Sequence, residues 1–279
     1  MKRNSAFAAL ALGMLLLVIF AAFSVLPQRI APYGVKEMFR AWQPISRAHL
    51  LGTNDMGYDI FTELVHAARN TLVIGLTSSV ISLFLGTAIG LWAGYVSGVT
   101  GEVAGGIINV FLLVPMLPAA IVVAAYLGAG SGNTAAVIAL LGWCPTARAV
   151  RARAAQLKQT AFVESLVILQ IPKARIIFRH ILPNLMETVL ARYILSVSSC
   201  MMMESALSFI GLGDPSSVTW GGMVNFAYRN GGFARGALNW FLAPGLCITL
   251  CSLSFRLLNT FFEYRASLVR SGGAKSYME

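Results

Sequence analysis

What most constrains this chain is a series of long runs of apolar residues that carry no charge. A helix rises about 1.5 Å per residue, so about 20 such residues cover the roughly 30 Å of a bilayer's hydrocarbon. The first run, Ala6 to Leu26, follows a basic start, Met1-Lys2-Arg3, and is read as a retained helix. A secretory leader has a shorter apolar core and a small-x-small cleavage site, whereas this run ends in Leu26-Pro27. Further runs cover Thr71 to about Ser97, Ile107 to Gly128, a shorter Thr134 to Ala147 that recruits flanking residues, Thr188 to Gly211 with two charges, and Ala237 to Arg256. The expectation is an all-α, polytopic membrane protein of about six transmembrane helices. Gly86, Gly90, Pro115, Pro118, Gly142 and Pro145 are tolerable inside such spans, because neighbouring helices satisfy freed backbone groups and small residues allow close approach.

Composition agrees: 57% of the residues are apolar and 11% charged, proportions foreign to a water-soluble globule. The net charge of +10 is explained by topology. With the N-terminus inside, Lys2, Arg3, Arg148, Arg151, Arg153, Lys158, Lys173, Arg175, Arg179, Arg265, Arg270 and Lys275 fall on inner segments, with Arg192 and Arg256 near inner helix ends. Only Arg29, Lys36, Arg40, Arg47, Arg69, Arg229 and Arg235 fall outside, a two-to-one bias in keeping with both termini in the cytoplasm. The excess charge suits anionic lipid and calls for no nucleic acid.

Chemistry-bearing motifs are scarce. Cys144, Cys200, Cys247 and Cys251 all fall in expected spans without a C-x-x-C, so neither a disulfide framework nor a thiolate zinc site is expected. His49, His66 and His180 lack H-E-x-x-H spacing, and there is no G-x-x-x-x-G-K-[ST]. No metal, no cofactor and no catalytic residue is assigned; if ATP is used, another chain binds it.

The longest inner connection, residues 148–187, is patterned as two short amphipathic helices. Phe162, Val163, Leu166, Leu169 and Gln170 recur at helical spacing, with Glu164 and Ser165 near the start, where negative charge suits the helix dipole. Pro172 interrupts. Ile176, Ile177, His180 and Ile181 then share a face while Lys173, Arg175 and Arg179 carry charge, up to a break at Pro183-Asn184. Such a pair is either an interfacial lipid anchor or a docking element for a cytoplasmic partner.

A second feature is Glu204 in an apolar run, costly enough there to be a functional suspect. Ser196, Cys200, Glu204 and Ser208 recur every four residues, drifting about 40° per step into one polar stripe. The stripe either lines a translocation path or fixes the register of neighbouring helices.

The inner segment resembles the cytoplasmic signature of bacterial ABC-importer permeases, a motif of the form E-A-A-x-x-x-G. Here it reads Glu164-Ser165-Leu166-Val167-Ile168-Leu169-Gln170 and continues into Phe178-Arg179-His180-Ile181-Leu182-Pro183-Asn184, similar to the F-R-H-x-L-P-N of the dipeptide, oligopeptide and nickel branch. "HLLGTNDMGYDIFTELVHAARNTL" from His49, "ALSFIGLGDPSSVTWGGM" from Ala206, "WCPTARAVRA" from Trp143 and "APGLCITL" from Ala243 resemble further segments of that branch. Gln170 departs from the motif glycine and cannot take a positive-φ turn cheaply, so the turn is expected to rest on Pro172. Arg256-Leu257-Leu258-Asn259-Thr260 departs from the branch's N-L-L-G-D.

The resemblance implies the type I permease fold, with an N-terminal helix and external segment in residues 1–70, a core in 71–265 and a cytoplasmic tail in 266–279. It implies a second, homologous permease, two cytoplasmic ATPase subunits or domains, an extracytoplasmic solute-binding protein and residence in the inner membrane. The ATPase-coupling residues would be Glu164, Ser165, Leu166, Leu169, Gln170, Ile171, Pro172, Lys173, Ala174, Arg175 and Arg179. The solute would be a di- or oligopeptide, or nickel or another metal chelate. The external segment, with Tyr33, Phe39, Trp42, Tyr58 and Phe61, is either an interface cap or the face that receives the binding protein. A gradient-driven transporter or channel using Glu204 is the reading of a different class; it predicts activity from this chain alone.

Overall fold

The computed structural model describes residues 3–96 and 98–276, with side chains for 4–96 and 98–265. Lys2 of the basic start, Ser97 at the expected end of the second span, and tail residues 277–279 lie outside the described residues. Among those described, one isolated bridge, Thr53 with Asp59, is the sole β pairing, and the rest is helix and loop.

In chain order the helices are α1 (Arg3–Val25), α2 (Pro27–Ile30), α3 (Ile60–Tyr95), α4 (Val99–Leu113), α5 (Met116–Leu127), α6 (Ser131–Gly142), α7 (Cys144–Lys158), α8 (Ala161–Ile168), α9 (Lys173–Ile176), α10 (Leu182–Ile210), α11 (Trp220–Arg229) and α12 (Leu238–Ser276). A single π-helical turn, Ile177–Ile181, joins α9 to α10.

Six spans were expected; four helical segments are long and apolar enough to cross a membrane: α1, α3, Lys173–Ile210 and α12. The pair α4 and α5 makes a fifth if taken as one span, bent by 86°. Pro115 causes the bend: it cannot donate a helical hydrogen bond, and its extended backbone caps α5. The expected run Thr134 to Ala147 has no single helix of spanning length, because α6 ends at Gly142 and Pro145 opens α7. The two nonetheless act as one rod. Ser82 donates to the carbonyl of Ala139 across an offset of 57 residues. The same offset recurs where Gly86 meets Trp143, Gly90 meets Ala147 and Gly94 meets Arg151. A constant offset means that α6–α7 runs parallel to α3, and a Cβ on any of the three glycines would strike a backbone carbonyl.

Helix α3 starts at Ile60, not near Thr71, so position 70 falls inside a helix. Asp59 sets the start by accepting the amide of Thr62 at 2.8 Å. The inner connection is likewise more helical than expected. Most of residues 148–187 belongs to α7, α8, α9 and α10, and no break occurs at Pro183-Asn184. The wide π turn absorbs Pro183: its missing N–H and its clash with the carbonyl four residues back are both relieved where the bonds skip five residues. Lys173–Ile210 therefore runs as one segment of 38 residues.

Contacts fix the relative directions. Phe23 lies 6.5 Å from Phe61, and Phe7 lies 5.5 Å from Phe261, so α1 is antiparallel to α3 and to α12. The start of α1 and the C-terminal part of α12 thus share one end of the bundle with the C-terminus of α3 and the α8–α9 hairpin. At this hairpin end a cluster of Leu91, Tyr95, Val150, Leu157, Val163, Ile176, Ile181 and Leu185 forms the core. At the opposite, cap end, Phe20, Ile60, Leu64, Met201, Trp220 and Trp240 form another.

The segment between α2 and α3 folds over the cap end. His49 Nδ1 pairs with Asp59 at 2.9 Å beneath the rings of Tyr33 and Phe39. Asp55 accepts from Asn230 at 2.7 Å, and Trp42 lies between Trp240 and the guanidinium of Arg235. These contacts tie the segment to the connection between α11 and α12.

Candidate functional site

Two places hold the residues singled out by sequence, and they sit at opposite ends of the Lys173–Ile210 helix. At the hairpin end, α8 begins after Thr160, whose hydroxyl donates back to Leu157 at 2.6 Å. Glu164 stands exposed in the first turn of α8, where its charge suits the helix dipole. Val163 is fully buried and Leu166 half-buried, so these two anchor α8; Phe162 and Leu169 of the expected face point outward instead.

The turn that follows is a Schellman motif centred on Gln170. Its φ is +53°, in the left-handed region. The amide of Gln170 donates to Val167 at 3.0 Å, and that of Ile171 to Leu166 at 3.1 Å, the paired bonds that define the motif. The sequence expectation that Gln170 would avoid this conformation, leaving the turn to Pro172, is corrected. Leu166 and Ile171 both lie against the hairpin-end core, and this packing holds the glutamine in a conformation that costs a non-glycine residue about 1–2 kcal/mol. Pro172 caps α9, as its extended backbone permits.

In the second arm the expected division holds. Ile176 and Ile181 are buried, whereas Lys173, Ala174, Arg175 and Arg179 are exposed with Ser165 and Pro172. His180 stacks edge-on to Phe162, at 6.2 Å between ring centres, and so links the arms. At the tip, Val167, Ile168 and Leu169 are 56%, 79% and 69% exposed. Three consecutive apolar side chains in the open, on a hairpin otherwise anchored by its own core, form a ridge with a rim of Lys173, Arg175 and Glu164.

At the cap end, Glu204 is completely buried. Ser208 donates to one carboxylate oxygen at 2.7 Å and Ser205 to the other at 3.2 Å. Thr219, just before α11, donates as well while its oxygen accepts the amide of Gly222 at 3.1 Å. Glu204 thus binds the start of α11 to α10. Sequence reasoning missed Thr219; the signal was present as the threonine before Trp220-Gly221-Gly222, a helix N-cap pattern. In the rest of the stripe, Cys200 is buried with a bond to Ser82 and a long contact of 3.8 Å to Ser196, which is half-buried. Ser208 is buried against Gly213.

Two further polar links were not read from sequence. Arg192 donates to the carbonyl of Pro145 at 3.1 Å, serving the junction between α6 and α7. Asp214 accepts the amide of Ser131 at 3.1 Å and both the amide and the hydroxyl of Ser216, joining the turn after α10 to the start of α6. The Ser216 bonds hold the Asp214 carboxyl below its usual range, against the small opposing effect of burial.

Comparison with known proteins fits this architecture. Residues 86–268 match the family described as binding-protein-dependent transport system inner membrane component, about two thirds of the chain. The di/tripeptide transport system permease protein of Pseudomonas aeruginosa is 33% identical over 89% of this chain and 84% of its own length. The glutathione transport system permease protein of Pectobacterium atrosepticum is 31% identical over 90% and 83%. The oligopeptide transport system permease protein of Bacillus subtilis is 31% identical over 76% and 70%. These relatives are named for peptides and glutathione, so the nickel side of the sequence reading gains no support from them. The all-helical, multi-pass chain belongs to the family of binding-protein-dependent transport system inner membrane components: it is a membrane permease subunit of an ABC importer, not an enzyme, and ATP is hydrolysed by partner subunits.

Proposed function

We propose that the chain is one permease of a peptide importer, pairing with a second, homologous permease in the inner membrane. The solute is a short peptide delivered by an extracytoplasmic binding protein, and two ATPase subunits drive its passage by alternating access. The names of the relatives support the solute class. The hairpin end faces the cytoplasm, and both termini lie there. Supporting this sidedness, the hairpin end carries Arg148, Arg151, Arg153, Lys158, Lys173, Arg175 and Arg179 on or beside α7 to α9.

One observation carries the coupling role: the open ridge of Val167, Ile168 and Leu169 on a hairpin held rigidly by buried Val163, Ile176 and Ile181. A rigid hairpin with an apolar tip is suited to insert into a groove of another protein and to transmit force through Lys173–Ile210. Glu164, Ser165, Gln170 to Arg175 and Arg179 surround that tip as the polar rim of the contact. In this reading Glu204 with Ser196, Cys200 and Ser208 serves packing, keeping the far end of the same helix attached to α11. The enclosure of its carboxylate by three hydroxyls supports that role.

The test is Glu164→Arg in the intact importer. Membrane insertion and the paired permease should be retained while peptide uptake is lost. Unchanged uptake would contradict the docking role.

A further inference from the structure

Between α3, α4 and α7 at the hairpin end lies a cavity of about 440 Å³ that the transport role does not use. Its wall is made of small residues, Gly94, Gly101 and Ala155 among them, with Arg148, Arg151 and Asn109 as its polar groups and Glu102 as its one acid. Arg151 is held in place: its guanidinium donates to the carbonyl of Gly101 at 3.2 Å and lies flat on Gly105, where any Cβ would displace it. One of its five N–H groups is used in that bond. Neither arginine forms an ion pair with a carboxylate among the described residues, Glu102 included. Two arginines against one glutamate leave this glycine-walled cavity net positive, and the preset guanidinium of Arg151 keeps further N–H groups to offer a phosphate.

The surface beside the cavity narrows the source of that phosphate. Val99, Val103, Ile107 and Val110 of α4 are 76%, 55%, 49% and 61% exposed and follow one another at helical spacing, leading from the cavity mouth along the span. A polar cavity at the head of an apolar track has the shape of an amphiphile. Basic cavities between spans near the cytoplasmic face suit anionic headgroups.

We propose that this cavity is a binding site for the phosphodiester headgroup of an anionic lipid, its acyl chains lying on the exposed face of α4. The inner leaflet as its source rests on the sidedness proposed above; the site itself does not. Bound in this way, the lipid bridges α4 to α7, the helix that leads directly into the docking hairpin.

The experiment purifies the whole importer from nanodiscs containing phosphatidylglycerol and phosphatidylethanolamine and measures the retained lipid by mass spectrometry. Three forms are compared: wild type, Arg148→Gln, and Ala155→Leu, which fills the cavity and leaves every charge in place. Wild type should retain phosphatidylglycerol selectively, and Arg148→Gln should lower that retention about tenfold, the value of one charge-assisted hydrogen bond. Ala155→Leu should lower it as well, and inorganic phosphate should fail to displace the lipid. Equal retention in all three forms would overturn the site. Displacement by inorganic phosphate would assign the cavity to a free anion and overturn the lipid as its ligand. Because lipid retention is read without transport, failure here leaves the importer reading standing, and loss of transport in Glu164→Arg leaves this one untouched.

Discussion

The turns after α8 and after α10 are built alike and surrounded differently. At Gln170 and at Gly211 the chain enters the left-handed region, with φ of +53° and +93°. In each turn this residue's amide bonds three back, and the next residue's amide bonds five back, Ile171 to Leu166 and Leu212 to Leu207. In each, those two apolar residues share a core cluster. The difference lies outside the hydrogen bonds. Near Gly211 two carboxylates find partners within the chain, Asp214 with Ser131 and Glu204 with Thr219. Before Gln170 all three residues are apolar and 56–79% exposed, whereas before Gly211 Ser208 is buried and Phe209 and Ile210 are less open, at 39% and 48%. One turn closes a joint inside the subunit; the other leaves an apolar surface open, the one proposed above to meet another protein. A left-handed residue marks a turn in both cases, and only the satisfaction of its surroundings tells which kind it is.

The largest effect is expected at the closed joint. Glu204→Ala strands the hydroxyls of Ser205, Ser208 and Thr219 in a cavity, at a cost of about 3 kcal/mol or more. The purified subunit should lose its thermal transition or express poorly, whereas Glu204→Gln, which keeps an acceptor, should fold with a lowered Tm. Full stability of Glu204→Ala would mean that these hydroxyls do not depend on the carboxylate and that Glu204 does not hold α11 to α10. Next in size is Gly211→Ala, which adds a Cβ in the left-handed region at about 1–2 kcal/mol. A fall in Tm without loss of ATPase subunits would place it with the closed joint.

The reverse change at the open turn should be smaller and opposite in sign. Gln170→Gly relieves the left-handed cost but loosens the unfolded chain, for a net gain of roughly 0.5 kcal/mol. Protection of hairpin amides from hydrogen exchange should rise slightly; a fall would mean that the glutamine side chain itself holds the turn. The smallest effect is a pH dependence at Asp214. Its pKa is depressed in the folded state by Ser216, so its stabilisation is present above the unfolded value of about 4 and is lost as pH falls through the lower folded value. Asp214→Asn should flatten that acid limb of the Tm profile and leave the profile near neutrality parallel to wild type.

The sequence revealed the spans best where apolarity alone decides. α1, α3, Lys173–Ile210 and α12 each lie on an expected run, because about twenty predominantly apolar residues have few other solutions. It was weaker where prolines interrupt. Pro115 ends α4 in an 86° bend, Pro145 opens a new helix on the same axis, and Pro183 is absorbed into a π turn without a break. Identical residues give three outcomes, because the packing around each decides how its missing hydrogen bond is met. The hairpin's polar and apolar pattern was legible in Ile176, Ile181, Lys173 and Arg179. Its turn at Gln170 was not, since the energy that holds it comes from Leu166 and Ile171 meeting a core built by distant helices. Thr219 was legible as a helix N-cap, but its bond to Glu204, like that of Ser131 to Asp214, was out of reach because the partners stand on other elements.

If the open ridge is where the ATPase docks, as proposed, Leu169→Asp should break that contact. The tagged importer is purified in mild detergent, and the amount of ATPase subunit per permease is measured. Aspartate at this exposed position should leave the Tm and the paired permease unchanged while the ATPase is lost by at least about tenfold, a value typical of one buried apolar anchor. Undiminished ATPase on a normally folded Leu169→Asp importer would contradict the claim and move the docking surface elsewhere.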